Sequence, residues 1–211
     1  MSNNIAVLTG DLIGSTRKPP TTVDAAMSVL AKASDTLSEW QEASVHFTRA
    51  RGDGWQLALT SPVLGLRSCL FLRASLRAAN LDLNTRISVG VGLGSLSTSG
   101  DLNGASGDAF VLSGHGLDRL TKKQSFSFNN SEENSPLQAI FILADALSDG
   151  WTVAQAASMA GALSPHAPTQ SELAKTLGHS RQAIQKSLSS AQFEALRQAI
   201  DVYEAGLTTS A

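Results

Sequence analysis

Two short acidic motifs carry the clearest chemistry in this chain: Thr9-Gly10-Asp11-Leu12-Ile13-Gly14-Ser15-Thr16 and Arg51-Gly52-Asp53-Gly54. The first closes the apolar run Ile5-Ala6-Val7-Leu8, and the second has the composition of a hairpin turn. Two carboxylates beside a Gly-Ser-Thr turn suit a divalent cation, because hard cations take oxygen ligands. They also suit a triphosphate, because turn amides point at phosphate oxygens. Asp11 and Asp53 are accordingly the expected ligands of a divalent cation, Mg²⁺ or else Mn²⁺ or Ca²⁺, held beside a triphosphate.

A different chemistry is written near the other end, from Thr169-Gln170-Ser171-Glu172-Leu173-Ala174 through Gly178-His179-Ser180-Arg181-Gln182-Ala183-Ile184-Gln185-Lys186 to Leu188. Leu173, Ala174 and Leu177 would bury one helix, Gly178 permits a tight turn, and Ser180 caps a second helix. Ala183, Ile184 and Leu188 are expected to pack inward. Arg181, Gln182, Gln185 and Lys186 are then left outward, and these side chains suit base edges and phosphates in a major groove. Thr169 and Gln170, opening the supporting helix, suit phosphate contacts. The sequence thus predicts a helix-turn-helix that binds double-stranded DNA.

The elements that must position these residues can be read from periodicity. Residues 5–9 form a short buried strand. Thr21 or Thr22 caps a helix over 23–43, and strands over 45–51 and 55–60 flank the Gly-Asp-Gly turn. A helix over 62–79, a glycine-crowded strand over 86–94, a Gly/Ser-rich loop over 95–107, a short helix to 120 and an edge strand over 125–128 complete this part. The order is β-α-β-β-α-β, the ferredoxin-like order. A right-handed crossover makes the first two strands parallel, which brings the hairpin turn to the same sheet end as Asp11. Residues 122–136 read as a linker, and helical periodicity follows over 137–147, with Leu137, Ile140, Phe141, Ala144 and Leu147 as one stripe. Further helices are expected over 151–163 and 192–203. The expected fold class is α+β: a ferredoxin-like βαββαβ domain over 1–132, followed by an all-α helix-turn-helix domain over 133–211.

Bulk properties narrow the class further. The chain has 211 residues, 42% of them hydrophobic and 16% charged, which suits a soluble protein with a real core. A net charge of −2 gives no global attraction to nucleic acid, so DNA contact must come from a local patch. The single Cys69 excludes a disulfide within the chain and fits a reducing cytoplasm. No apolar run reaches the roughly 18 residues of a membrane span, so no membrane partner is expected.

Over residues 5–120 the chain resembles the class III adenylate/guanylate cyclase homology domain. In that family an aspartate ending the first strand and another in the Gly-Asp hairpin hold metal against a nucleoside triphosphate; the matching positions are Asp11 and Asp53. The turn that supplies amides to the phosphates maps onto Leu12, Ile13, Gly14, Ser15 and Thr16, and a purine-reading position falls on Arg49. Arg86-Ile87-Ser88-Val89-Gly90-Val91-Gly92 is similar to the family's glycine-rich strand. The departures are chemical. The family's transition-state Asn and Arg fall on Val111 and His115, and the acidic partner of the purine-reading position falls on Gly104. A valine cannot hydrogen-bond, and a neutral imidazole does not replace a guanidinium on phosphate oxygens. The helical half is similar to SatD-like bacterial proteins and, loosely, to MarR-type regulators.

The expected protein is therefore a cytoplasmic, nucleotide-sensing transcription regulator with no catalytic residue assigned. Its expected partners are DNA, a purine nucleotide (ATP by default) and a second copy of the chain, since cyclase-homology domains generally pair head to tail. The alternative is an active nucleotidyl cyclase in which Arg119, Lys122 or Lys123 replaces the missing pair. A third reading is a DNA-binding or scaffolding module whose first half only dimerises.

Overall fold

Alternation along the first strand sets the layers of this protein. In the computed structural model, which describes residues 3–50, 52–96, 102–132, 135–166 and 168–209, β1 runs from Asn3 to Ile13. Ala6, Leu8 and Leu12 face the main core, while Ile5 and Val7 join a smaller cluster with Ala58, Leu102 and Ala109. β1 is central because it is apolar on both faces.

The remaining elements are α1 (Pro20–Trp40), β2 (His46–Arg49), β3 (Gly54–Leu59), α2 (Gly65–Ala78), β4 (Asn84–Gly94), α3 (Asp108–Arg119) and β5 (Phe126–Asn129). The sheet order is β2-β3-β1-β4-β5. β1 is antiparallel to both β3 and β4, β2 is antiparallel to β3, and β5 is parallel to β4. β1 and β2 therefore run the same way, as the β-α-β-β-α-β order requires, and the α+β class holds. α1 and α2 cover the face of Leu8, Leu57 and Val89, and α3 covers the other face against β4 and β1.

Helices α4 (Leu137–Ser148), α5 (Val153–Ala162), α6 (Gln170–Leu177), α7 (Arg181–Ser190) and α8 (Phe193–Thr209) follow. They close over α2 instead of hanging from a free linker. α2 packs on α5. Arg73 of α2 is buried and donates to the Asp145 carboxylate at 2.6 Å and to the Ser148 hydroxyl at 2.6 Å. The other Asp145 oxygen accepts from the amides of Ser125 and Phe126, tying the start of β5 to α4. Arg67 pairs with Glu204 of α8 at 2.9 Å, and Arg77 donates to the Trp151 carbonyl. The Tyr203 hydroxyl donates to the Pro62 carbonyl, and its ring packs edge-on against Phe128 and Phe141.

Several sequence expectations shift. β1 continues four residues past Thr9, because the β4 ladder pairs it through Ile13. α1 starts at Pro20, where proline occupies the first turn and no threonine side chain caps. The edge strand expected over 125–128 is present as β5, one residue later, and Glu133 and Asn134 of the expected linker lie outside the described residues. On α4, Phe141 and Ala144 are buried but Leu147 is exposed, since the buried line runs on to Asp145 and Ser148.

Candidate functional site

The two acidic motifs meet at one corner of the sheet. In the ladder Asp11 stands opposite Gly54 on one side and Arg86 on the other, so Asp53 at the hairpin tip is next to it. Beyond Ile13 the chain leaves the strand through Gly14, whose φ of 84° lies in the left-handed region that favours glycine. A single 3₁₀ turn over Ser15–Arg17 follows. It points Ser15 at the hairpin, where the hydroxyl donates to the Asp53 carboxylate. The motifs are thus directly bonded, although Arg51 of the second lies outside the described residues.

Asp11 is gripped from across the ladder. Arg86 donates through Nε to one carboxylate oxygen at 2.9 Å and through a terminal nitrogen to the other, a bidentate pair. Behind it, Trp55 Nε1 donates to the Thr85 hydroxyl at 3.2 Å, and that hydroxyl donates to the Asp11 carbonyl at 2.7 Å. Gly10 leaves space for the Trp55 ring; a β-carbon there would collide with it. The backbone under Asp11 is therefore fixed by a buried aromatic residue and its hydrogen-bond relay.

Arg86 is the electrostatic centre of the corner. Its hydrogen bonds to Asp11 raise its pKa above the usual arginine range, and the charges of Asp11, Asp53 and Asp118 act in the same direction. Arg86 thus answers the Asp11 carboxylate directly and lies within the field of Asp53 and Asp118. The donor set fits a hard divalent cation completed by phosphate oxygens and water, the usual way Mg²⁺ is held. Arg86 occupies two of the roughly four lone-pair directions of the Asp11 carboxylate, leaving the others open. Among the described residues no three His, Cys, Asp or Glu side chains cluster as a protein-only metal cage.

A polar strip extends from this corner between the sheet and α3. The Thr9 and Ser113 hydroxyls share a hydrogen bond at 2.8 Å, and Gln56 donates to Thr9 at 3.2 Å. Gly90 and Gly116 bring α3 close, since a β-carbon at either would strike the opposing element. Val111 and His115 are exposed, one turn apart on α3.

Not every expected residue stands where the sequence suggests. Leu12 and Ile13, expected in the phosphate-facing turn, are strand residues in register with Thr85 and Asn84, and Leu12 is buried. The turn itself is Gly14, Ser15 and Thr16. Arg49 ends β2 and pairs with Asp24 of α1 at 2.7 Å, while also donating to the Gly52 carbonyl. Arg86, Thr85 and Asp118 join the corner without having been expected there. The signal for Arg86 is cross-strand: a basic residue facing an acidic one across an antiparallel pair.

The segment expected to form a helix-turn-helix is the turn-linked helix pair α6 and α7. Thr169 caps α6 in a reciprocal box with Glu172, whose hydrogen bonds from Thr169 hold its carboxyl below the usual range. Gly178 takes φ 68° in the turn, and the Ser180 hydroxyl accepts from the Ala183 amide at 3.1 Å. Ile184 and Leu188 of α7 are buried; Ala183, expected inward, is exposed. Arg181, Gln182, Gln185 and Lys186 are all exposed, as is Thr169, and Gln170 is half-buried.

No protein-family model matches the chain, and no curated protein matches it. Among solved structures, it is similar to two bacterial light-regulated adenylyl cyclases, each at 15% identity over 61% of this chain. The first gives a TM-score of 0.46 and is covered over 76% of its length; the second gives 0.43 and is covered over 43%. No helix among the described residues is long and apolar enough to cross a membrane.

Proposed function

We propose that this chain is a cytoplasmic DNA-binding regulator, with residues 1–132 binding a purine nucleotide and a divalent cation and residues 133–211 binding double-stranded DNA. The observation that carries the reading is the row Arg181, Gln182, Gln185 and Lys186, exposed together on α7 while Ile184 and Leu188 anchor that helix. Such a row on the second helix of a turn-linked pair suits groove contacts. The ligand corner is Asp11 and Asp53 with the turn Gly14, Ser15 and Thr16, and ATP is the default ligand. Arg86 balances Asp11 until a cation and phosphates arrive.

Val111 and His115 stand at the positions where the cyclase resemblance puts its transition-state donors, and neither supplies an equivalent group. The proposed chemistry accordingly ends at binding. Signal can travel through α2, whose arginines are bonded to α4, α8 and the segment before α5. Two copies would present two recognition helices to a two-fold operator.

The test is a DNA-shift assay with the gene's own upstream region, titrated with ATP, GTP and their cyclic forms in Mg²⁺. The expected result is a shift whose midpoint moves with one nucleotide. No binding of any double-stranded DNA at low salt overturns the regulator reading, and a cyclic product formed from ATP or GTP under Mn²⁺ overturns the binding-only reading.

A further inference from the structure

The sheet ends in an open strand beside an apolar helix face, and both features lie on one side of the molecule. β5 is the last strand in the sheet order and, among the described residues, pairs only with β4. Ile87 donates to the Ser125 carbonyl, so Ser125, Ser127 and Asn129 turn their backbone groups toward β4, and Phe126 and Phe128 turn theirs outward. The outward Phe126 amide is taken by Asp145. At Phe128 both outward groups lack a partner among the described residues.

A groove of about 660 Å³ runs along this edge, walled by Leu112 and Leu120 on the α3 side and by Gln138 and Ile142 of α4. Ile142 leads directly onto the solvent face of α4, where Leu143 is 63% exposed and Leu147 40% exposed, with Ala139 one turn before Leu143 and Ala146 beside Leu147, both exposed. The only ionisable side chain on α4 is Asp145, which is buried against Arg73. An exposed helix face this apolar marks an interaction surface.

We infer that this face binds a second copy of the same chain, with β5 pairing antiparallel to β5 of the partner about a two-fold axis at Phe128. The inference rests on the two-copy reading above and adds the surface that forms the pair. Three features select this occupant. A neutral helix face offers nothing to an acidic or a basic partner but matches its own copy. Phe128, with both outward groups open, is the one residue of β5 that can exchange a reciprocal pair of hydrogen bonds across an axis. The groove is also oppositely charged at its two ends. Arg119 closes α3 before β5 begins, and Glu132 lies just past the end of β5. Neither forms an ion pair among the described residues. Antiparallel pairing brings Arg119 to Glu132 of the partner subunit, twice.

The test is sedimentation of the 211-residue chain and its exposed-site variants, with far-UV circular dichroism and melting temperature confirming that each variant is folded. The wild type should be dimeric at about 10 µM, and Leu143→Lys with Leu147→Lys should weaken the dimer at least about tenfold. Arg119→Glu should weaken it as well, and Arg119→Glu with Glu132→Arg should restore it. A monomeric wild type, a dimer indifferent to the α4 lysines, or a charge swap that fails to restore pairing overturns the inference. A protein that dimerises through this face yet shifts no DNA overturns the regulator reading alone.

Discussion

The Ser15 hydroxyl donates to the Asp53 carboxylate, joining residues 38 apart in sequence across the end of the sheet. This bond makes the turn after β1 and the β2–β3 hairpin one unit, so a ligand held by either motif acts on both. Asp53→Asn should abolish the Mg²⁺-dependent rise in melting temperature produced by ATP, and Asp11→Asn should do the same. Ser15→Ala should reduce that rise while changing stability without ligand by no more than about 1 kcal/mol, because the bond is partly exposed. Differential scanning fluorimetry with and without EDTA checks this. An undiminished ATP response in both aspartate variants would remove the corner from consideration.

In the proposed site Arg86 would compete with a cation for Asp11. Replacing it with glutamine removes a positive charge hydrogen-bonded to that carboxylate, so the nucleotide-free protein should bind Mn²⁺ about tenfold more tightly. Isothermal titration gives the affinity directly. Unchanged or weaker binding would mean that the guanidinium orients Asp11 for the metal instead of opposing it.

The corner's topology was legible in the sequence, because β-α-β-β-α-β order alone brings Asp11 and the Asp53 turn to one end. The register was not. Which β4 residue faces Asp11 depends on how far β1 runs, and apolar periodicity ends at Leu8 while the ladder continues to Ile13. Periodicity therefore hides Arg86 as a partner and makes Leu12 look like turn instead of strand. The reciprocal box of Thr169 with Glu172 was not read from the sequence, while the helical half was legible where turn and cap are local, as at Gly178 and Ser180. Its docking on α2 was not, because it depends on arginines placed far away in sequence.

The buried Arg73–Asp145 pair should be among the most sensitive points of the fold. Desolvation works against the Arg73 charge, and Asp145 is what sustains it. Asp145→Ala leaves a guanidinium buried without its carboxylate and also strips an acceptor from the amides of Ser125 and Phe126. A loss of about 3–5 kcal/mol is expected in urea unfolding. A loss below about 1 kcal/mol would mean that water reaches Arg73 in the variant.

On α7 the expected effects separate fold from DNA recognition. Ser180→Ala removes the cap and should cost about 1 kcal/mol of stability. Lys186→Ala, at an exposed position, should leave the melting temperature unchanged. In a DNA titration it should lower the slope of log affinity against log salt by about one for each phosphate the side chain had neutralised. An unchanged slope would take Lys186 out of the interface.

Tyr203 gives the chain an alkaline limit that can be followed optically. Burial raises its phenol pKa well above the usual 10.0, and burial likewise raises the Cys69 thiol above its usual 9.0. A group whose folded pKa is raised contributes stability that is complete below its unfolded pKa. That stability is lost as pH rises, because the unfolded chain releases the proton first. Stability should thus begin to fall near pH 9 through Cys69 and fall more steeply above pH 10, where Tyr203 adds about 1.4 kcal/mol per pH unit. Tyr203 is the single tyrosine of the chain, so tyrosinate absorbance reports it alone. That absorbance should stay silent past pH 10 and then appear together with the loss of helical circular dichroism. Tyr203→Phe gives up the bond to the Pro62 carbonyl, at about 1 kcal/mol, but should flatten the decline above pH 10. Smooth titration near pH 10 in the folded protein would show that water reaches the phenol between α8 and Pro62.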